Sequence, residues 1–342
     1  MLALVAPRRL PARSEFFWTL GLFLAFTALF VVYVEMRHPE WYDREYQVRR
    51  GLLNDRITES PERPVVLVIG SSRLVAAVLP ERLGPIRDTE GREVTVFNYC
   101  RIGAGPRMNL VQLHRALRDG VRPSYLVLEL VPGFLRHDDL PVKEIAIPDV
   151  GLLWKHSNKL RLVASTAGLR LNGVYRPRTA LLRSIAPEWE TRAEHDRGPF
   201  LSELGGDNNW VLLEEPSKSE RELLHSLAVG RFQNRMQTFR FDPYLVSAMR
   251  ELLEECKSRG IKVAIVLTPE DSEFLSWYRP GAEEELQVFL ANIRANRVPV
   301  FDSRRWMTDD KFTDPHHLKR RGAEEYTERL GKEVLIPFVG GK

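Results

Sequence analysis

The chain has 342 residues, 44% of them hydrophobic and 28% charged, enough for one large domain or a domain carrying a substantial insertion. Lysine and arginine number 50 against 46 acidic residues, a net charge of +4. No basic stripe with interleaved aromatics occurs, so nucleic acid is not an expected partner.

Residues 16–34, FFWTLGLFLAFTALFVVYV, carry no charge. As a helix they would reach about 28 Å, enough to cross the hydrocarbon core of a bilayer. Arg8, Arg9 and Arg13 precede the stretch, whereas Glu35 follows it with only Arg37 nearby. The positive-inside rule therefore predicts a cytoplasmic tail over 1–15, a single-pass anchor over 16–34 and an extracytoplasmic (periplasmic) remainder. A cleaved signal peptide is the alternative; the stretch exceeds an ordinary h-region, and no small-x-small cleavage site follows. Residues 35–60 read as a polar, partly helical stalk.

Short, nearly continuous apolar runs then recur at 65–69 (VVLVI), 94–98, 124–130, 262–267 and 298–301. Such runs suit strands buried on both faces of a parallel sheet. Between them the periodicity predicts helices over 106–119, over 243–259 after Asp242-Pro243, and over 281–294. Strand alternating with helix predicts an α/β fold of three layers with a parallel sheet of about five strands. Residues 140–240 lack this rhythm and read as a helical insertion in a domain made of 61–139 and 241–342. Two cysteines make no disulfide framework; Cys256 reads as mid-helix and Cys100 as a strand end, and both are expected as buried free thiols.

The first strand stops at Gly70-Ser71-Ser72-Arg73. Ligands of open parallel sheets sit beyond the carboxyl ends of the strands, and backbone N–H groups at the start of the following helix are free to face an anion. A serine nucleophile there needs a base, and the base needs an orienting carboxylate. DPHHL, residues 314–318, supplies both: Asp314 and His317 are three apart on a turn before a helix starting near Leu318 or Lys319. Alone, GSS also reads as a serine-capped turn, and DPHHL as a loop with exposed histidines. Neither a P-loop nor a G-x-S-x-G elbow occurs.

VIGSSR and DPHHL resemble the first and last sequence blocks of the SGNH (GDSL-type) hydrolase superfamily, above all its membrane-anchored envelope branches implicated in D-alanine transfer and exopolysaccharide acetylation. The resemblance covers roughly 62–140 and 243–335. It implies a flavodoxin-like sheet, no metal or other cofactor, and a Ser-His-Asp triad working through an acyl-enzyme. Ser72 then takes the nucleophile position, His317 the base and Asp314 its partner, with Ser71 where the common motif has Asp. The oxyanion would be held by the Ser72 N–H and by Gly103 or Gly105 in NYCRIGAGP. The third block departs from the pattern: VPGFLRHDD stands where G-x-N-D is expected, so one oxyanion donor is missing or comes from elsewhere, which favours transfer over simple hydrolysis.

Ser71, Arg73, Asn98 and Glu129 are further candidates for lining the site, Glu129 either near it or paired with a cation such as Arg73. His316 reads as a loop histidine, and RHDD (136–139) as a solvated charged loop. Trp154, Trp189 and Trp210 of the insertion could stack on sugars or pack in a core. The expected activity is a membrane-anchored esterase or acyltransferase acting on O-acyl groups of an envelope polysaccharide or related ester. The implied partners are the membrane, an acylated carbohydrate or other ester, and a membrane acyl-donor protein. The rival is a catalytically silent scaffold of an envelope assembly.

Overall fold

The computed structural model describes residues 12–37, 43–171 and 216–341. Five strands, β1 (Val65–Ile69), β2 (Thr95–Asn98), β3 (Tyr125–Glu129), β4 (Lys262–Leu267) and β5 (Val300–Asp302), form one parallel sheet in the order β2-β1-β3-β4-β5. Val66 sits between Val96 of β2 and Tyr125 of β3, and Tyr125 pairs in turn with Lys262. This is the flavodoxin-like order, whose strand sequence reverses between β1 and β3. Two further short strands, β6 (Phe312–Asp314) and β7 (His317–Leu318), make an antiparallel hairpin.

The helices in chain order begin with α1 (Ala12–Arg37), α2 (Arg44–Glu59), α3 (Ser72–Ala77), α4 (Pro106–Arg118), α5 (Pro132–Arg136), α6 (Ile147–Leu153) and α7 (Lys159–Leu171). They continue with α8 (Lys218–Ala228), α9 (Pro243–Ser258), α10 (Ser272–Ser276), α11 (Ala282–Ala295) and α12 (Arg320–Leu330).

Successive strand residues point to opposite faces, and each face has its own core. Leu67, Ile69, Leu126, Leu128 and Ile265 pack with Leu110 and Leu113 of α4, Leu252 of α9 and Leu290 of α11. Val66, Val68, Val127 and Val266 pack on the other side with Leu74 of α3 and with Ala323, Tyr326 and Leu330 of α12. Burial on both sides is why β1 and β3 are continuous apolar runs rather than alternating ones. The chain is thus a three-layer α/β protein. Cys100 and Cys256 are both buried and free.

The stretch expected to be a stalk is instead part of the domain. Tyr46 and Leu53 of α2 join the core beneath the sheet, and Asp43, which caps α2, is buried against Arg101 and Arg115 at 2.6 and 2.5 Å. Part of its polar composition serves this buried ion-pair network, while Asn54, Asp55, Thr58 and Glu59 on its outer face are exposed. In α1, residues Ser14–Val34 have a mean hydropathy of 2.1 and are long and apolar enough to cross a membrane. Of the stretch 140–240, residues 172–215 lie outside the described residues, and Trp189 and Trp210 with them. Its two ends are helical: α6 and α7 before the gap, α8 after it, the latter running on through a π turn at Val229–Gln233.

Candidate active site

The turn after β1 is built by close approach. A Cβ at Gly70 would come 2.6 Å from the Cβ of Glu129, at the end of β3, so a side chain here would push the two strand exits apart. Ser71 is fully buried, and its Oγ caps α3 by accepting the Arg73 N–H at 3.2 Å. Ser72, the first residue of α3, is only partly buried. The two serines therefore differ in role: one hydroxyl is committed to the helix cap, the other faces His317.

His317 arrives on the β6–β7 hairpin. Its Nε2 lies 2.9 Å from Ser72 Oγ and its Nδ1 2.7 Å from Asp314 Oδ2. The other Asp314 oxygen accepts the backbone N–H groups of His316 and His317, at 2.9 and 2.8 Å. One carboxylate thus shapes the turn and orients the ring, which explains the three-residue spacing in DPHHL. With Nδ1–H donated to Asp314, Nε2 is left as an acceptor for the serine proton. Burial alone would raise the Asp314 carboxyl, but the His317 and His316 rings and their hydrogen bonds outweigh it and hold it well below the usual carboxylate range.

His316 is not a loop histidine in solvent. Its ring is buried, 4.7 Å from the Phe232 ring, 5.7 Å from Phe274 and 4.0 Å from His317. Burial and the adjacent His317 push its imidazole down to about 3 despite Asp314, so it is neutral at physiological pH. Asp314, His316 and His317 also bring possible metal-ligating atoms within 4.8 Å of one another. Both His317 nitrogens already face Asp314 and Ser72, so a metal there would compete with that relay.

The loop after β2 is tied to the serine turn by the Arg101 N–H, which donates to Gly70 O at 2.9 Å. Gly103, two residues on, has φ +72°, a left-handed conformation that favours glycine. Gly105 has a different reason to be glycine: a Cβ there would collide with Asp138. At its carboxyl end β3 leads into α5, where Gly133 lies against the end of the Met236 side chain, which would have to move to admit a Cβ.

The remaining candidates support the turn from below. Glu129 does not pair with Arg73. Its Oε2 accepts the Ser71 N–H and its Oε1 the Thr268 hydroxyl at 3.1 Å. Arg73 is buried against Glu270 at 3.2 Å and the Pro269 carbonyl at 2.6 Å, tying α3 to the loop after β4. Asn98 is buried and donates to the Leu74 and Val78 carbonyls at 2.9 and 2.8 Å, holding the far end of α3 rather than lining the opening. Glu270 and Thr268 have no local mark in the sequence of their contacts with Arg73 and Glu129, which lie 197 and 139 residues away.

A cover closes over this edge. Phe232 in the π turn after α8 packs with Phe134, Phe274 and His316, and Arg231 comes 3.9 Å from where a Gly103 Cβ would stand. RHDD is the strap for this cover and not simply a solvated loop. Asp139 pairs with Arg231 and Arg235 at 2.9 and 3.1 Å, while Asp138 is buried against Arg107. Trp154 stands on an outer surface with the Lys159 ammonium 5.6 Å above its ring, in a hollow that Ser72, Asp314 and His317 do not line.

A protein-family model that carries no descriptive name matches residues 159–338, more than half of the chain, so the chain belongs to that family without taking an activity from it. No curated protein matches the sequence significantly. Among solved structures, the chain is similar to that of a putative acylhydrolase from Bacteroides fragilis NCTC 9343, at 10% identity and a TM-score of 0.36 over 83% of this chain and 97% of the other. That likeness is too loose to decide fold or chemistry, which rest on the topology and the site.

Proposed function

We propose that the protein is a membrane-anchored SGNH-type serine esterase or acyltransferase, held by α1 with its α/β domain on the extracytoplasmic side. The observation that carries this reading is the continuous relay Ser72 Oγ, His317 Nε2, His317 Nδ1, Asp314 Oδ2, with links of 2.9 and 2.7 Å. Ser72 Oγ attacks the acyl carbonyl while its proton passes to His317, and Asp314 stabilises the imidazolium. The N–H groups of Ser72 and Gly103 receive the oxyanion. Collapse of the tetrahedral intermediate returns the proton from His317 to the departing alcohol and leaves the acyl group on Ser72. Water or an acceptor hydroxyl then gives up its proton to His317, takes the acyl group and restores Ser72. The substrate class is an O-acylated envelope polysaccharide or related ester, with a membrane protein as acyl donor in the transfer reaction.

A serine-directed fluorophosphonate probe on the detergent-solubilised full chain tests this. Labelling should occur and disappear in Ser72→Ala while persisting in Ser71→Ala. Absence of labelling in the unaltered protein would overturn the enzyme reading and leave the silent scaffold.

A further inference from the structure

The surface around α7 has no part in the chemistry, yet three features coincide there. First, α1 lies against α7. The large or polar residues of α1 that are buried, Thr27, Val31 and Val34, all fall in the second half of its apolar window, Ser14–Val34. The end of α1 nearest the domain therefore has a protein neighbour, while Phe16, Trp18 and Phe23 at its beginning are exposed.

Second, α7 divides its side chains between two faces. Leu162 and Thr166 turn inward, Leu162 joining Met108, Val111 and Leu153 in a small core. Leu160, Val163 and Ala164, spaced i, i+3, i+4, form an outward stripe in which Leu160 is 83% and Val163 45% exposed. A helix facing only water would carry polar residues along that stripe.

Third, Leu160 shares a surface hollow of about 460 Å³ with Trp154, Tyr244, Lys155 and Lys159. Tryptophan, tyrosine and lysine around an apolar stripe are the residue types that settle at the headgroup level of a bilayer, ring or stem in the apolar layer and polar tip outside.

We propose that α7, with Trp154 and Tyr244, is a membrane-surface seat: the Leu160–Val163–Ala164 stripe lies in the headgroup–acyl boundary of the leaflet from which α1 emerges. The proposal rests on the reading of α1 as a membrane-crossing helix. Thr27 to Val34 spans about 10 Å of helix, close to the depth of about 5–10 Å at which amphipathic interfacial helices lie. Exposed Lys155, Lys159 and Arg161 border the stripe and would meet the phosphates of anionic lipids. The seat would hold the catalytic domain flat on the leaflet instead of letting it swing on a single tether.

The full chain, reconstituted in vesicles of phosphatidylcholine and phosphatidylglycerol, tests this with single environment-sensitive fluorophores at Leu160→Cys, Val163→Cys, Leu24→Cys and Val288→Cys. Doxyl-labelled lipid should quench the first three several-fold more than the label at 288, an exposed position of α11. Leu160→Asp with Val163→Asp should abolish quenching of a label at Ala164→Cys and leave fluorophosphonate labelling of Ser72 in detergent unchanged. If 24 is quenched while 160 and 163 respond to aqueous iodide like 288, the seat is overturned and the anchor stands. Shielding of 160 and 163 from both iodide and lipid would mean that protein covers the stripe, and also overturns the seat. A label at 24 that lipid does not quench overturns the anchor itself.

Discussion

The exits from the carboxyl edge of the sheet differ in kind. The turn after β1 and the hairpin after β5 are polar: Ser71 caps a helix, Asp314 holds its own turn, and Ser72 and His317 meet across them. The exit of β3 is apolar; Phe134 of α5 joins Phe232, Phe274 and Trp277 in a separate aromatic core. His316 is where the two meet, its backbone held by Asp314 and its ring in the aromatic core, next to His317. The lesson is that the His317 ring is positioned from both sides, by the Asp314 carboxylate on one and, through His316, by packed rings on the other.

Breaking the polar side should have the largest effect. Asp314→Asn leaves the ring without its tautomer-fixing acceptor, and turnover of an activated ester should fall about 10,000-fold, with the folded state retained by circular dichroism. Wild-type turnover in that variant would remove Asp314 from the relay.

Breaking the apolar side should act on stability first. Phe232→Ala empties the centre of the aromatic cluster and should cost about 3–5 kcal/mol in denaturant unfolding. Because the ring also backs His316, turnover should fall while the variant remains folded. An unchanged unfolding midpoint would mean that the cover is not packed on the domain.

The floor under the Ser71-Ser72 turn separates the two sides more finely. Glu129→Ala leaves the Ser71 N–H and the Thr268 hydroxyl without their acceptor and should cost about 2–3 kcal/mol, whereas Glu129→Gln, which can still accept the Ser71 N–H, should cost less. Equal losses in both would assign the effect to charge rather than to the hydrogen bonds.

His316 links the two sides through pH. Its folded value of about 3 lies below the ordinary 6.5, so between these values the unfolded chain binds the proton that the native state refuses. Stability should therefore be unaffected by this group above pH 6.5 and fall by up to about 1.4 kcal/mol per pH unit as the solution is acidified toward 3. Asp314, depressed in the native state, adds its own loss below its ordinary value of 3.8. His316→Phe should flatten the slope between pH 6.5 and 4 and keep the steep limb below it. A slope unchanged in that window would mean that another group carries it.

The sequence by itself determined the inner strands, because a strand buried on both faces is a continuous apolar run: 65–69 and 262–267 agree residue for residue with β1 and β4, whereas the half-exposed edge strand β5 begins two residues later than its apolar run and the β6–β7 hairpin had no such mark. The ends of α9 were equally legible, since Asp242 caps it through the Tyr244 N–H at 2.8 Å and Gly260 leaves it at φ +70°. The Asp314–His317 pairing was within reach because it is made inside one turn.

What only the tertiary structure decided are the contacts between segments far apart in the chain: Ser72 to His317 across 245 residues, Glu129 to Thr268 across 139, Arg73 to Glu270 across 197. A polar residue carries no local mark of a partner that the sheet alone brings to it. The same reason made α2 read as a stalk, since its buried ion pairs have the composition of a solvated helix. It made His316 read as a loop residue, since the rings that bury it come from α8's π turn and α10.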